Sequence, residues 1–340
     1  MEGRELGQPR GAASAVEQMQ SLTSIQPGLP MHPSNLGNNN VPTFMSVPCP
    51  LSRQTKKLLW ALNLFFSICH LGLAILAASA GSFGHHIAVY RTKLVPVVES
   101  IGNREFETYR LVPGIPVHVT DLYLTTAIMI QFTITSFFHF ANAYLWRGSY
   151  ESALEYCYCP SRWAEYSLSA STMILVISGL SGQHMLVPLM LLFGVTFITM
   201  QFGYSVELVN RPLNSRTWQE PQLWKRLIVH AFGWTPQLFV WTAVLIEFSW
   251  HVTDSDSADA VAKRQIPGFV YAIVLGELVL FVCFALVQIR VLLNPPSEFV
   301  RGEIMYQILS FSAKSFLGLS AFFGVLLADS VDQLYVDPTV

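Results

Sequence analysis

Lys314 stands near the middle of a long apolar run, about Ile304 to Ala328. An ionised ammonium at that depth in a membrane is costly unless it is paired, neutralised or used covalently. Snorkelling to an interface gives least relief at the midpoint. At helical spacing Ser310 lies one turn before it, preceded by Gln307 and Glu303, and Gly318 and Ala321 follow, so one face is polar or small. A lysine amine in an apolar site can condense with an aldehyde, and a long apolar aldehyde suits a lysine enclosed by membrane helices. The protonated Schiff base so formed needs a counterion. Glu165, at the start of another apolar run in Arg162-Trp163-Ala164-Glu165-Tyr166-Ser167, is the candidate, with Ser169 and Thr172 continuing its face. Alone, Glu165 reads as a helix-start carboxylate favoured by the macrodipole; opposite an intramembrane cation it reads as that cation's partner.

The elements that must hold these residues follow from composition. Of 340 residues 52% are hydrophobic and 12% charged, against roughly one quarter charged in soluble domains. Twenty Lys+Arg and 22 Asp+Glu are too few to clothe a water-facing surface of this size, so the apolar excess faces lipid. The net charge of -2 gives no reason to expect nucleic acid, and five cysteines without metal-ligand spacing predict no metal site. Residues 1–50, rich in Gly, Pro, Ser, Asn and Gln, predict a disordered cytoplasmic tail with no secretory signal and nothing cleaved. Residues 51–330 form the membrane domain and 331–340 a short extracellular tail.

Seven stretches are long enough to cross about 30 Å of hydrocarbon: about Leu58 to Ala80, Leu122 to Trp146, Trp163 to Gly182, Leu186 to Leu208, Leu227 to Trp250, Pro267 to Leu293 and Ile304 to Ala328. The expected fold class is an all-α seven-transmembrane helix bundle. With the N-terminus inside, one side collects Arg53, Lys56, Lys57, Arg147, Arg162, Arg211, Arg216, Lys225, Arg226, Arg290 and Arg301, which predicts a cytoplasmic N-terminus and an extracellular C-terminus. The loop from Gly81 to Thr120 carries β-branched segments at Leu94 to Glu99 and Arg110 to Val119, broken by Pro and Gly, which predict a small extracellular β-hairpin or an irregular loop.

Over residues 55 to 328 the sequence resembles heliorhodopsins, the inverted-topology branch of the retinal-binding microbial rhodopsins. The resemblance rests on RWAEYSLSAS (Arg162 to Ser171) with Gly182, on FVYAI (Phe269 to Ile273) with Phe284-Ala285, on YQILSFSAK (Tyr306 to Lys314), on His70 and His139 in the first two spans, and on Trp241 in the fifth. It implies that Lys314 carries covalently bound all-trans retinal, that Glu165 is the counterion and that Ser310 occupies the place where other microbial rhodopsins keep a second carboxylate. It also implies a homodimer and, around His70 and His139, a polar, water-containing cavity able to take the Schiff-base proton. Read as residues alone, these two are satisfied core histidines.

His230, Trp234, Gln237 and Trp241 make a helical stripe in the fifth span. An aromatic stripe is packing by default; facing Lys314, Trp241 and Trp234 would line the polyene. Met173, two turns from Glu165, and Tyr271 in the sixth span are read the same way. Glu277 departs from the resemblance, in which this part of the sixth span is apolar. About ten residues past Pro267, it must be neutral, hydrogen-bonded or on an aqueous path. Glu207 and Glu247, nearer span ends, are expected to meet water.

These readings point to a light-sensing photoreceptor with a slow photocycle, with no downstream partner legible. A pump is disfavoured because Val176 stands eleven residues past Glu165, where a relay would need a second polar group. Light-gated passive proton conduction through Glu277, His70 and His139 is the alternative. A non-retinal receptor leaves Lys314 and Glu165 unexplained, and nothing suggests an enzyme: Cys157 and Cys159 lack a histidine spaced to activate them and read as unpaired thiols.

Overall fold

The computed structural model describes residues 48–81, 83–101, 104–210, 223–256 and 266–326. The tail expected over residues 1–50 lies almost wholly outside the described residues, and that over 331–340 entirely so.

Among the described residues there are eight α-helices, seven of them at least 20 residues long: α1 (Arg53–Ala80), α2 (Leu124–Ala143), α4 (Pro160–Leu180), α5 (Leu186–Asn210), α6 (Leu223–Asp256), α7 (Gly268–Leu293) and α8 (Phe299–Ala321). The eighth, α3 (Arg147–Glu155), is a short segment between α2 and α4. A 3-10 turn, Pro296–Glu298, leads into α8, and a π turn, Phe322–Leu326, follows it. Helix starts follow local chemistry. The Ser52 side chain accepts from the Thr55 N–H at the start of α1, and Pro160, whose missing N–H costs nothing there, opens α4.

Among the described residues five helices are long and apolar enough to cross a membrane: α1, α2, α5, α7 and the Arg226–Thr253 part of α6. α4 and α8 are of similar length but more polar. α4 buries Arg162, Glu165 and four serines; α8 buries Glu303, Gln307, Ser310 and Lys314. A helix can carry such groups in an apolar setting only by turning them toward its neighbours. Packing accomplishes this by closing a ring: α1 lies on α2, α2 on α4, α4 on α5, α5 on α6, α6 on α7, α7 on α8, and α8 returns to α1. The apolar centre is built around Phe132, Ile174, Ile177, Trp241, Ile273 and Leu317. α6 contains Pro236, which removes one backbone donor and leaves the helix locally weaker there.

The segment between α1 and α2 is more ordered than one small hairpin. β1 (His86–Arg91) pairs antiparallel with β4 (Val117–Tyr123), and β2 (Leu94–Ile101) with β3 (Arg104–Pro113). The two ladders nest, one beyond the other. Leu94 to Glu99 falls within β2 as expected, but Arg110 to Val119 is divided between β3 and β4, because Gly114 and Pro116 interrupt it. The ribbon is tied to the helices where the Tyr90 N–H donates to the His184 carbonyl, 2.8 Å. Ile87 packs over Gly179 of α4.

Candidate functional site

α8 and α4 bring Lys314 and Glu165 together. Lys314 Nζ lies 3.1 Å from Glu165 Oε1 and donates to Ser310 Oγ, 2.5 Å, one turn earlier on α8. The same Glu165 oxygen accepts from Thr135 Oγ1 of α2, 2.5 Å. The Tyr166 ring centre is 4.9 Å from Nζ, within reach of a cation–π contact. Lys314, Glu165, Ser310, Thr135 and Tyr166 are all buried. A buried ion pair adds little to stability by itself, because desolvation offsets its Coulomb energy. Its meaning comes from what it adjoins.

What it adjoins is a cleft between α4, α5, α6, α7 and α8, with about 1020 Å³ of empty space including its mouth. Lys314 and Ser310 stand in its lining; Met173, Phe202, Trp234, Trp241, Phe281 and Phe284 make much of the remaining wall. The Trp163 ring lies directly against Gly203 of α5, where a Cβ would collide with it, so glycine is what lets that helix approach. His230 is fixed in one tautomer: its Nδ1 donates to Gln288 Oε1, 3.0 Å, and its Nε2 accepts from Trp234 Nε1, 2.8 Å. Gln288 in turn donates to the Gly203 carbonyl, 3.0 Å.

Of the residues expected to hold a chromophore, Lys314, Ser310, Ser169, Met173, Trp234 and Trp241 line this cleft, and Glu165 touches it through Lys314. Tyr271 stands outside the lining and packs edge-on against Phe248, 5.0 Å between ring centres. The α7 face that meets the cleft instead presents Leu278, Phe281, Val282, Phe284, Ala285 and Gln288. His70 and His139 stack at 5.7 Å between α1 and α2, away from the cleft. His139 Nδ1 donates to Asn63 Oδ1 and His70 Nδ1 to the Phe66 carbonyl, both 2.8 Å, while His70 Nε2 has no partner among the described residues. Phe311 of α8 packs against His70, and Thr135 lies one turn from His139, so this pair adjoins the Glu165 side of the ion pair. Glu277 is fully buried on α7.

Sequence reasoning missed a second buried cluster. Arg162 bonds Glu207 of α5 through one amino group and Glu303 of α8 through the other. Glu303 also accepts from the Tyr150 hydroxyl, 2.8 Å, and from Gln307 Nε2, 3.1 Å; Glu207 accepts from the Cys159 N–H, 2.9 Å. Glu207 therefore does not meet water, and Arg162 is not a free surface charge. Both lie near helix ends, but the chain at Cys159 bonds Glu207 and the Trp163, Phe299 and Tyr306 rings lie against the Arg162 guanidinium. One signal was available: Arg162 shares a face with Glu165, and Glu303 shares the face of Lys314, three turns away.

The heliorhodopsin family profile matches residues 59–326. The chain belongs to the heliorhodopsin family. Membership makes it a membrane protein of the retinal photoreceptor kind, with retinal as the implied chromophore. Among solved structures it is similar to the crystal structure of a light-driven proton pump LR (Mac) from Leptosphaeria maculans. The identity is 11% and the TM-score 0.38, over 78% of this chain and 94% of that one. No curated protein matches. For a heliorhodopsin the cleft has the fitting chemistry: a buried primary amine in its lining, a carboxylate beside it, and apolar and aromatic walls for an elongated apolar aldehyde.

Proposed function

We propose that this heliorhodopsin is a light-sensing receptor in which Lys314 holds all-trans retinal covalently, Glu165 balances the positive charge at the lysine nitrogen, and Ser310 fixes the position of that nitrogen. The observation that carries this reading is the 3.1 Å contact of Lys314, in the lining of the cleft, with Glu165. When bound, retinal supplies visible absorption and a double bond that isomerises in light. The protein's part is to orient and to hold the proton. Thr135 fixes one oxygen of Glu165, Trp234 and Trp241 confine the polyene, and the aromatic walls exclude water. All seven long helices span the membrane in this reading, with α4 and α8 as the two polar, enclosed spans. The N-terminus is cytoplasmic, the C-terminus extracellular, and the working unit a homodimer. A slow photocycle suits signalling rather than turnover.

Light-gated passive proton conduction is the second reading. It is favoured by titratable groups in two directions from Lys314, the His70–His139 stack on the Glu165 side and Glu277 on α7.

The test is absorption of the purified protein with retinal, beside whole-cell photocurrents. A visible band that is lost in Lys314→Ala supports the chromophore site, and its absence from the wild type refutes it. A band without current favours sensing; a current that reverses with the proton gradient favours conduction.

A further inference from the structure

Glu277 has no role in the light-sensing reading, yet its setting is unusual. It lies one turn before Phe281, whose side chain lines the cleft, but is not itself in that lining. It has no exposed surface, and neither carboxyl oxygen has a hydrogen-bond partner among the described residues. α7 lies on α8, and the buried cation of α8 is Lys314. Lys314 already has Glu165 as its anion. One ammonium cannot balance two carboxylates in an apolar interior, so the unpartnered one is the neutral acid. A neutral acid carries an O–H and can donate it.

Its place along α8 gives that proton a direction. Gly276, its chain neighbour, packs on Phe316, two residues past Lys314, so the acid stands toward the end of α8 from Lys314. Ser310 lies one turn toward the start of α8, and Phe311 on that same turn touches His70. Lys314 thus has Ser310 and the histidines to one side along the helix and Glu277 to the other.

We propose that Glu277 is a second proton-holding residue of the Lys314 site, a neutral acid that returns a proton to the lysine nitrogen from the side away from His70 and His139 after light has moved the first. The inference rests on the retinal reading above. In the step, the O–H bond of Glu277 breaks and an N–H bond forms at Lys314 Nζ. Glu277 is left as a carboxylate beside the positive nitrogen, and a proton from water later restores it.

Infrared spectra of the full chain without retinal test the resting state. The carbonyl stretch of an un-ionised acid is expected in the wild type, displaced in Glu277→Asp and absent in Glu277→Gln. With all-trans retinal bound, flash photolysis tests the step. Recovery of the protonated pigment in Glu277→Gln is expected to slow by about a hundredfold, to stay near wild type in Glu277→Asp, and to be rescued in Glu277→Gln by azide, a small diffusible acid. A visible pigment whose recovery is equally fast in Glu277→Gln overturns the proposal, as does an ionised Glu277 in the wild-type infrared spectrum. Failure of the retinal reading is recognised separately: no visible band forms, while the acid carbonyl persists.

Discussion

Breaking the Arg162 cluster should reveal how the protein tolerates three buried charges. Removing the guanidinium strands two carboxylates, whereas neutralising one carboxylate leaves a matched pair. Arg162→Gln should therefore destabilise by about 3–5 kcal/mol, and Glu303→Gln by clearly less. Thermal unfolding of the purified proteins in one detergent measures both. The same physics explains which site residues the sequence disclosed. Lys314 was legible because snorkelling gives little relief at the middle of an apolar run, and Glu165, by itself a plausible helix-start carboxylate, became legible once that cation needed a partner. Tyr271 stands outside the cleft lining because periodicity fixes which residues share a face but not where that face points. Glu207 was misread because a position near a span end looks wet until the chain covering it is known, and the turn at Cys159 supplies that cover.

At the scale of elements, the chain leading into α1 is held by α3. The Cys49 N–H donates to the Glu155 carbonyl, 2.6 Å, and the Leu51 N–H to the Glu155 side chain, 3.3 Å, which also meets Lys56 Nζ at 2.8 Å. The Lys56 hydrogen bond holds the Glu155 carboxyl below its ordinary value of 4.5. A lowered carboxylate stabilises the folded contact above the ordinary value, and the contact is lost as pH falls through the lowered one. The Leu51 amide resonance should accordingly titrate with a midpoint below 4.5 and should lose that transition in Glu155→Gln. Each of the seven long apolar stretches overlaps a long helix among the described residues, and five of those helices are apolar enough to cross a membrane, because length and hydrophobicity are strong, local signals. The strands were legible only in part: β-branched runs announced pairing, but partners as distant as His86 and Tyr123 depend on the whole ribbon.

For the whole molecule, the outer faces remain apolar. Phe65, Ile68, Met190, Leu191, Phe239 and Val279 are all more than half exposed, an arrangement suited to lipid rather than water. The orientation proposed from the basic residues has a direct check. A protease site placed before residue 48 should be cut only from the cytoplasmic side of sealed cells, and one placed after Val340 only from outside; the opposite pattern would refute the charge argument.

The Arg162 cluster also bears on how such a molecule could move. It fastens α4, α5 and α8 at a single level, three turns along α8 from the lysine, whereas α6, which carries Pro236, has no share in it. Those three helices cannot part at that level without exposing unpaired charge to an apolar interior. With those helices fastened there, a displacement begun at Lys314 would be reduced toward the fastened end and enlarged toward the other. The helices there, and the strand ribbon seated on α4, would travel farthest.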